Sequence, residues 1–372
     1  MSVYVILIGV VAVILILAIA LGIGFFVIPR KETKRSAPEI GGSKETRRSA
    51  PGIGGSQESE PDLGDETATR LRRELAEGTF EGAHALLSQL QHHDQRWFYF
   101  HALSDWPGRP AWIDAWVGRY PTSEIPLIMR AAHSIVWAWE ARGVGVGSTV
   151  SDQAAHLFLQ RLQDAVHDCE RATQLAPNDP TPWALRIIAA RGLSYEKETS
   201  AALYREAVRR DPFNRAAHEH TLILLCEKWQ GSHREMFDFA RTMAARTPDG
   251  GSLWALIPLA HAERWLYHLM QNQAAEAEAY FGRAEVRDEI VAAYNRYKAG
   301  GDSRGPEAWW AKNLFAYCLA KCGEKKLALP LLGEVQGHLT ELPWGYWGNK
   351  PSTAISARSA GSRSPSVTNH NY

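Results

Sequence analysis

The sequence predicts an all-α protein: an α-solenoid of helix–turn–helix repeats preceded by one N-terminal transmembrane helix. Three observations predict it. Apolar residues recur at spacings of three and four through the middle of the chain. Matched small, aromatic and proline positions return after 35 residues. Residues 3–28 carry no charge at all. No stretch alternates apolar and polar residues as a half-buried strand would.

The N-terminal element comes first. At 1.5 Å per residue, the run "VYVILIGVVAVILILAIALGIGFFVI" makes roughly 39 Å of helix, enough to cross a bilayer with some tilt. A cleaved signal peptide would show a basic start, a shorter apolar core and a small-x-small cleavage site. Here the chain starts "MSVY" and bulky "FFVI" stands where cleavage would fall, so residues 1–29 read as an anchor. Arg30, Lys31, Lys34 and Arg35 come closely after it, and no charged side chain precedes it. The positive-inside rule then expects the rest of the chain on the cytoplasmic side of the cell membrane. Unpaired cysteines agree with a reducing compartment.

Residues 30–65 hold a tandem repeat, "KETKRSAPEIGGS" followed by "KETRRSAPGIGGS". Its Pro, Gly, Ser and charges cannot bury a core, which predicts a flexible linker. The end of the chain, 344–372, is polar and Ser-rich without periodicity and is expected to be disordered. Between them, 66–343 is the expected helical domain.

Within that domain, "TATRLRRELAEG" and "FEGAHALLSQL" read as a helix pair split near Gly78. "PAWIDAWVGRYP" and "IPLIMRAAHSIVWAWEARG" come next as helices. Ala155, Phe158, Leu159, Leu162, Ala165, Val166, Cys169 and Ala172 form one apolar stripe that Pro177 ends. Asn178, Asp179 and Pro180 turn the chain; Thr181 is placed to cap the next helix, with Pro182 at its first position. Ala165, Cys169, Ala172 and Pro177 map onto Ser200, Tyr204, Ala207 and Pro212, and a looser third copy ends at Pro248 with Met243 at the alanine position. Helices are further expected in "LWALIPLAHAERWLYHLM", near 273–298, and through "PEAWWAKNLFAYCLAKCGEKKLALPLLGEV".

This period, with a small residue, an aromatic, an alanine and a proline in order, and with Trp183 opening a first helix, resembles the tetratricopeptide repeat. The glycine that family carries early in each first helix is missing here. The segments "WPGRPAWIDAWV", "AHSIVWAWEARG", "NDPTPWALRIIAARGL" and "CEKWQGSHREMFDFAR" are similar to an actinobacterial family of helical-repeat proteins catalogued only as a domain of unknown function. That resemblance implies the fold and brings no catalytic residues.

Composition excludes little by itself. The chain has 41 Lys plus Arg against 41 Asp plus Glu, so no overall bias toward nucleic acid exists. Cys169, Cys226, Cys318 and Cys322 form no CxxC pair, and a zinc site lacks a second pair of ligands. The expectation is four free thiols, no metal and no cofactor. Lys228, His233 and Glu235 suggest an acid–base group, but Ser232 and Glu235 are more simply an S-x-x-E capping box. "RGVGVGS" (142–148) comes after a helix and lacks the Lys-Ser/Thr of a phosphate loop. His218 and His220 fall on different sides of a helix, and Trp97, Trp106, Trp112, Trp116, Trp137 and Trp139 read as packing residues.

No catalytic motif occurs. The leading expectation is a membrane-anchored protein-interaction module whose first helices line a concave face for a protein or peptide partner. On that face Arg186, Thr221 and Lys228 form a polar, partly basic ridge suited to an acidic peptide. The alternatives are an enzyme with a site assembled from distant residues of the helical domain and a structural membrane-associated protein.

Overall fold

Asp65 begins the first helix by taking up an amide the helix leaves free: its Oδ1 accepts the Ala68 N–H at 2.7 Å. The structure, a computed structural model, describes residues 61–142, 151–301 and 305–345. The expected span 3–28, the tandem linker, the glycine-rich stretch 143–148 and residues 346–372 lie outside the described residues. No helix among the described residues is long and apolar enough to cross a membrane.

The described residues hold sixteen α-helices and no strand. Helix α1 (Glu66–Ala76) turns at Gly78, φ 83°, into α2 (Glu81–Gln89). Helix α3 (His93–Ser104) lies outside the apolar stripes anticipated from the sequence, because Trp97, Phe98, Tyr99, Phe100, Ala102 and Leu103 are all buried and no polar face breaks the pattern. Next come α4 (Ala111–Arg119), α5 (Ile125–Arg142) and α6 (Asp152–Leu175). Leu162, Ala165, Cys169 and Ala172 of the predicted stripe are buried, and the long helices α5 and α6 pack along one another.

The turn at 176–180 leads into α7 (Thr181–Gly192), with one change from the expected cap. Thr181 is the first helical residue; Asp179 does the capping, its Oδ1 accepting the Thr181 N–H at 2.8 Å. Helix α7 pairs with α8 (Lys197–Arg210), and α9 (Arg215–Leu224) with α10 (His233–Arg246). The capping box is present: Ser232 Oγ accepts the Glu235 N–H at 3.2 Å, and the Glu235 carboxylate returns to the Ser232 amide. In the third copy the buried alanine is Ala244, not the position of Met243, whose sulfur instead accepts the Tyr204 hydroxyl at 3.3 Å.

The remainder is α11 (Leu256–Met270), α12 (Ala274–Tyr280), α13 (Ala284–Ala299), α14 (Trp309–Lys321), α15 (Lys325–Glu334) and α16 (Glu341–Trp344). The single helix expected near 273–298 is thus two, broken at Phe281–Arg283. From α4 to α12 neighbours in the chain are neighbours in space, as in a stack of helical hairpins, whereas α2 and α3 pack on α5 rather than on each other. The core forms two apolar clusters, one from Ala68 to Ala217 and one from Leu222 to Trp344.

The stack also meets itself. Helix α3 touches the 3-10 turn Pro306–Ala308 just before α14, and it touches α9 as well. Helices that open separate hairpins therefore converge on one region.

Candidate functional site

That region centres on Arg215, at the first turn of α9. Asn214 fixes the start of the helix, its Oδ1 accepting the Ala217 N–H at 3.0 Å. The Arg215 N–H donates to Asp94 Oδ1 of α3 at 3.2 Å. Its guanidinium pairs with Glu219 one turn on and lies 5.1 Å over the Trp310 ring of α14. Three helices from distant parts of the chain are thereby joined through one buried ion pair.

Burial sets the protonation of the surrounding groups. It pushes the Glu219 and Asp94 carboxyls up, against the pull of Arg215. It pushes His220 well down, with Arg191, Arg215 and His101 acting in the same direction. His101 is lowered too, by its crowded surroundings, although the residue is exposed at the surface. His220 is therefore neutral at pH 7, resting 5.8 Å from Trp97.

Arg191 links this cluster to an aromatic group. Gly192 after it has no Cβ; one added there would meet Leu162 at 2.4 Å and Phe158 at 2.8 Å, so any side chain would have to displace both where α7 ends against α6. The Arg191 guanidinium lies 5.5 Å from the Trp139 ring of α5 and 5.1 Å from that of Trp229. The two indoles meet edge to face at 6.1 Å, and Phe158 meets Trp139 at 4.9 Å. Trp139, Arg191 and Trp229 all remain partly exposed.

The predicted ridge is arranged otherwise. Arg186 pairs with Glu170 of α6 at 3.2 Å and lies over its own helix's Trp183. Thr221 is buried, and its Oγ1 has no hydrogen-bond partner. Lys228 is not on the helical face at all, because α9 stops at Leu224 and the chain turns through Trp229 N–H to Cys226 O. Its ammonium pairs with buried Glu263 of α11 at 2.6 Å. The acid–base trio separates likewise: Lys228 goes to Glu263, His233 to Glu227 and Glu235 to Lys197.

His218 and His220 do face opposite ways, His218 toward Tyr204 and Phe239 and His220 toward Trp97. Trp97, Trp112 and Trp116 are buried packing residues, whereas Trp106, Trp137 and Trp139 keep some exposure under Arg72, Arg161 and Arg142. Among the described residues no group of His, Cys, Asp or Glu is arranged to hold a metal. A cavity of about 340 Å³, open to solvent, lies where the two ends of the domain meet, between Gly64–Thr67 and Trp309 with His338.

Reading residue by residue passes over Asp94, Arg191, Arg215, Glu219 and Trp229. One signal is present: Arg215 and Glu219 stand four apart inside "RAAHEHTLIL", an apolar run in which a charge pair is out of place unless buried together. Compared with known proteins, the chain matches no family model, no curated protein and no solved structure.

Proposed function

We propose that this chain is a membrane-tethered protein-interaction module. Residues 3–28 are its anchor, the domain after it lies on the cytoplasmic face, and its hairpins are tetratricopeptide-like repeats in an α-solenoid. The observation that carries the reading is the Trp139–Arg191–Trp229 group. Three segments far apart in sequence bring two indoles and a guanidinium together at a partly exposed surface. Trp and Arg are the residues that dominate protein interfaces, and here the exposed part of the indoles is apolar ring, their N–H groups being buried. Arg191 favours a partner segment carrying carboxylates.

The test is a photo-cross-linking residue substituted at Trp229, with one at Leu329 as control; Leu329 is 57% exposed and belongs to α15. A discrete cross-linked partner from Trp229 alone supports the reading. The same products from both positions, or none from Trp229, overturn it.

An enzymatic reading has one observation in its favour, the raised Asp94 and Glu219 carboxyls beside His101 and His220. It predicts that Asp94→Asn abolishes a turnover that Trp229→Ala leaves intact.

A further inference from the structure

Two successive junctions between hairpins use equivalent positions differently. Pro177 and Pro212 end α6 and α8; Arg210 and Arg246 stand two residues before Pro212 and Pro248. By the same register Trp183 corresponds to His218, and Glu206 to Thr242.

The first junction is sealed. The Arg210 side chain, 7% exposed, donates from Nε to the Pro177 carbonyl at 2.6 Å and from Nη1 to Glu206 Oε2 at 2.7 Å. It lies 4.7 Å over the Trp183 ring. Arginine, indole and carboxylate together fill the space.

The second junction has lost each fastening. Thr242 offers Arg246 no carboxylate, and Arg246 is exposed with no acidic partner among the described residues. His218, smaller than an indole, turns its Nδ1 to the Asn214 carbonyl and its ring edge-on to Tyr204. What remains is an open cavity of about 270 Å³ lined by Tyr204, Val208, Pro212, Phe213, Met243 and Arg246. Phe213, where the sealed junction has Asn178, is 46% exposed. Arg205, on the same helix as Tyr204 and Val208, is also exposed and unpaired with any described carboxylate. A basic last turn serves the α10 helix end and accounts for the sign of Arg246. It does not account for an apolar cavity beside it.

We propose that this open junction docks a segment of a partner protein that presents an aromatic side chain one to three residues from an aspartate or glutamate. The aromatic ring takes the space that the Trp183 indole fills one repeat earlier, and the carboxylate takes the role of Glu206 against Arg246. Tyr204, Val208 and Met243 supply the apolar wall, and Arg246 supplies charge complementarity. This surface is separate from the Trp139–Arg191–Trp229 group and goes beyond the function proposed above.

The experiment is selection of a displayed random nonapeptide library on the full-length chain, followed by affinity measurement of the enriched peptides. Three variants accompany it: Arg246→Gln, the resealing pair His218→Trp/Thr242→Glu, and Arg191→Gln on the other surface. Enriched peptides are expected to pair Trp, Phe or Tyr with a nearby acid. They should bind about tenfold more weakly to Arg246→Gln, as loss of one charge-assisted contact predicts, and as weakly to the resealed variant, while Arg191→Gln binds normally. Circular dichroism establishes that each variant folds; should the resealed pair not fold, Phe213→Asn at the exposed rim replaces it. No aromatic–acid enrichment, or enriched peptides indifferent to both Arg246→Gln and the cavity variant, overturns the proposal. Loss confined to Arg191→Gln also overturns it, while supporting the docking role of the other surface.

Discussion

Leu63 and His338 are joined by a hydrogen bond across 275 positions of the chain, the imidazole Nδ1 meeting the Leu63 carbonyl at 2.5 Å. The same imidazole stacks on Trp309 at 4.0 Å with the rings 7° from parallel. The turn before α1 and the segment between α15 and α16 therefore support each other, which a linear stack of repeats would not show. His338→Ala should lower stability by about 1–2 kcal/mol, from the lost bond and the lost stacking. Hydrogen exchange should then quicken in α1 as well as around α14. Faster exchange near α14 with α1 unchanged would show that the two ends are energetically independent.

The Arg215–Glu219 pair makes an asymmetric prediction. Arg215→Met leaves Glu219 buried without its cation and should cost about 3–5 kcal/mol. The double variant Arg215→Met/Glu219→Met removes both charges and should recover most of that loss. Urea unfolding of the two single variants and the double variant decides it; additive losses would mean the two side chains do not act as a pair.

Glu289 carries a pH dependence with a definite sign. Burial alone would raise its carboxyl, but hydrogen bonds from Arg241 and His261 outweigh this and bring it down to about 2. A carboxyl depressed in the folded state contributes stability above its unfolded value of about 4.5, and that contribution is lost as the pH falls toward 2. Glu289→Gln should flatten this part of the acid limb. An unchanged dependence of unfolding free energy between pH 5 and 2 would count against the Arg241–Glu289–His261 contact. The raised carboxyls Asp94 and Glu219 work oppositely, their cost being relieved as they protonate.

The four cysteines are free thiols in the structure, three buried and Cys322 partly exposed. Burial raises the thiols of Cys169, Cys226 and Cys318, which keeps them protonated and slow to react. Alkylation of the native protein should label Cys322 first, and denaturation should release all four. Fewer than four labelled thiols after denaturation would reveal a covalent or metal link.

The proposed anchor is tested on membranes. With residues 3–28 inserted, alkaline carbonate should leave the protein in the pellet, and protease added to intact cells should spare the domain. Release into the supernatant would reject insertion; digestion would reverse the orientation.

Helices α6 to α11 are legible in the sequence because proline and capping residues punctuate a one-faced apolar stripe. Helix α3 is not, since its run of four consecutive buried aromatics, Trp97 to Phe100, leaves no one-faced stripe to read. Lys228 is misplaced by the pattern because the apolar run through Leu225 extends the helical period past the true end at Leu224, where the chain turns toward the Ser232 cap. The Arg215 cluster and the Leu63–His338 bond are tertiary facts. Each joins residues whose local sequence is compatible with ordinary surface, and only the path of the stack brings them together.

The joint between Leu63 and His338 also decides how the domain bears load. Leu63 before the first helix and Trp344 in the last stand at one corner, joined through His338, Trp309 and Asn313. A pull on Pro61 from the N-terminal side falls on the bonds that Asp62 makes to Thr69 and Gly64 as well as on the Leu63–His338 bond. The corner acts as a clasp on the two ends, and behind it α1 is held to the end of α3 by Arg72 on the Ala102 carbonyl and α2 to α4 by the Trp116 indole on His84.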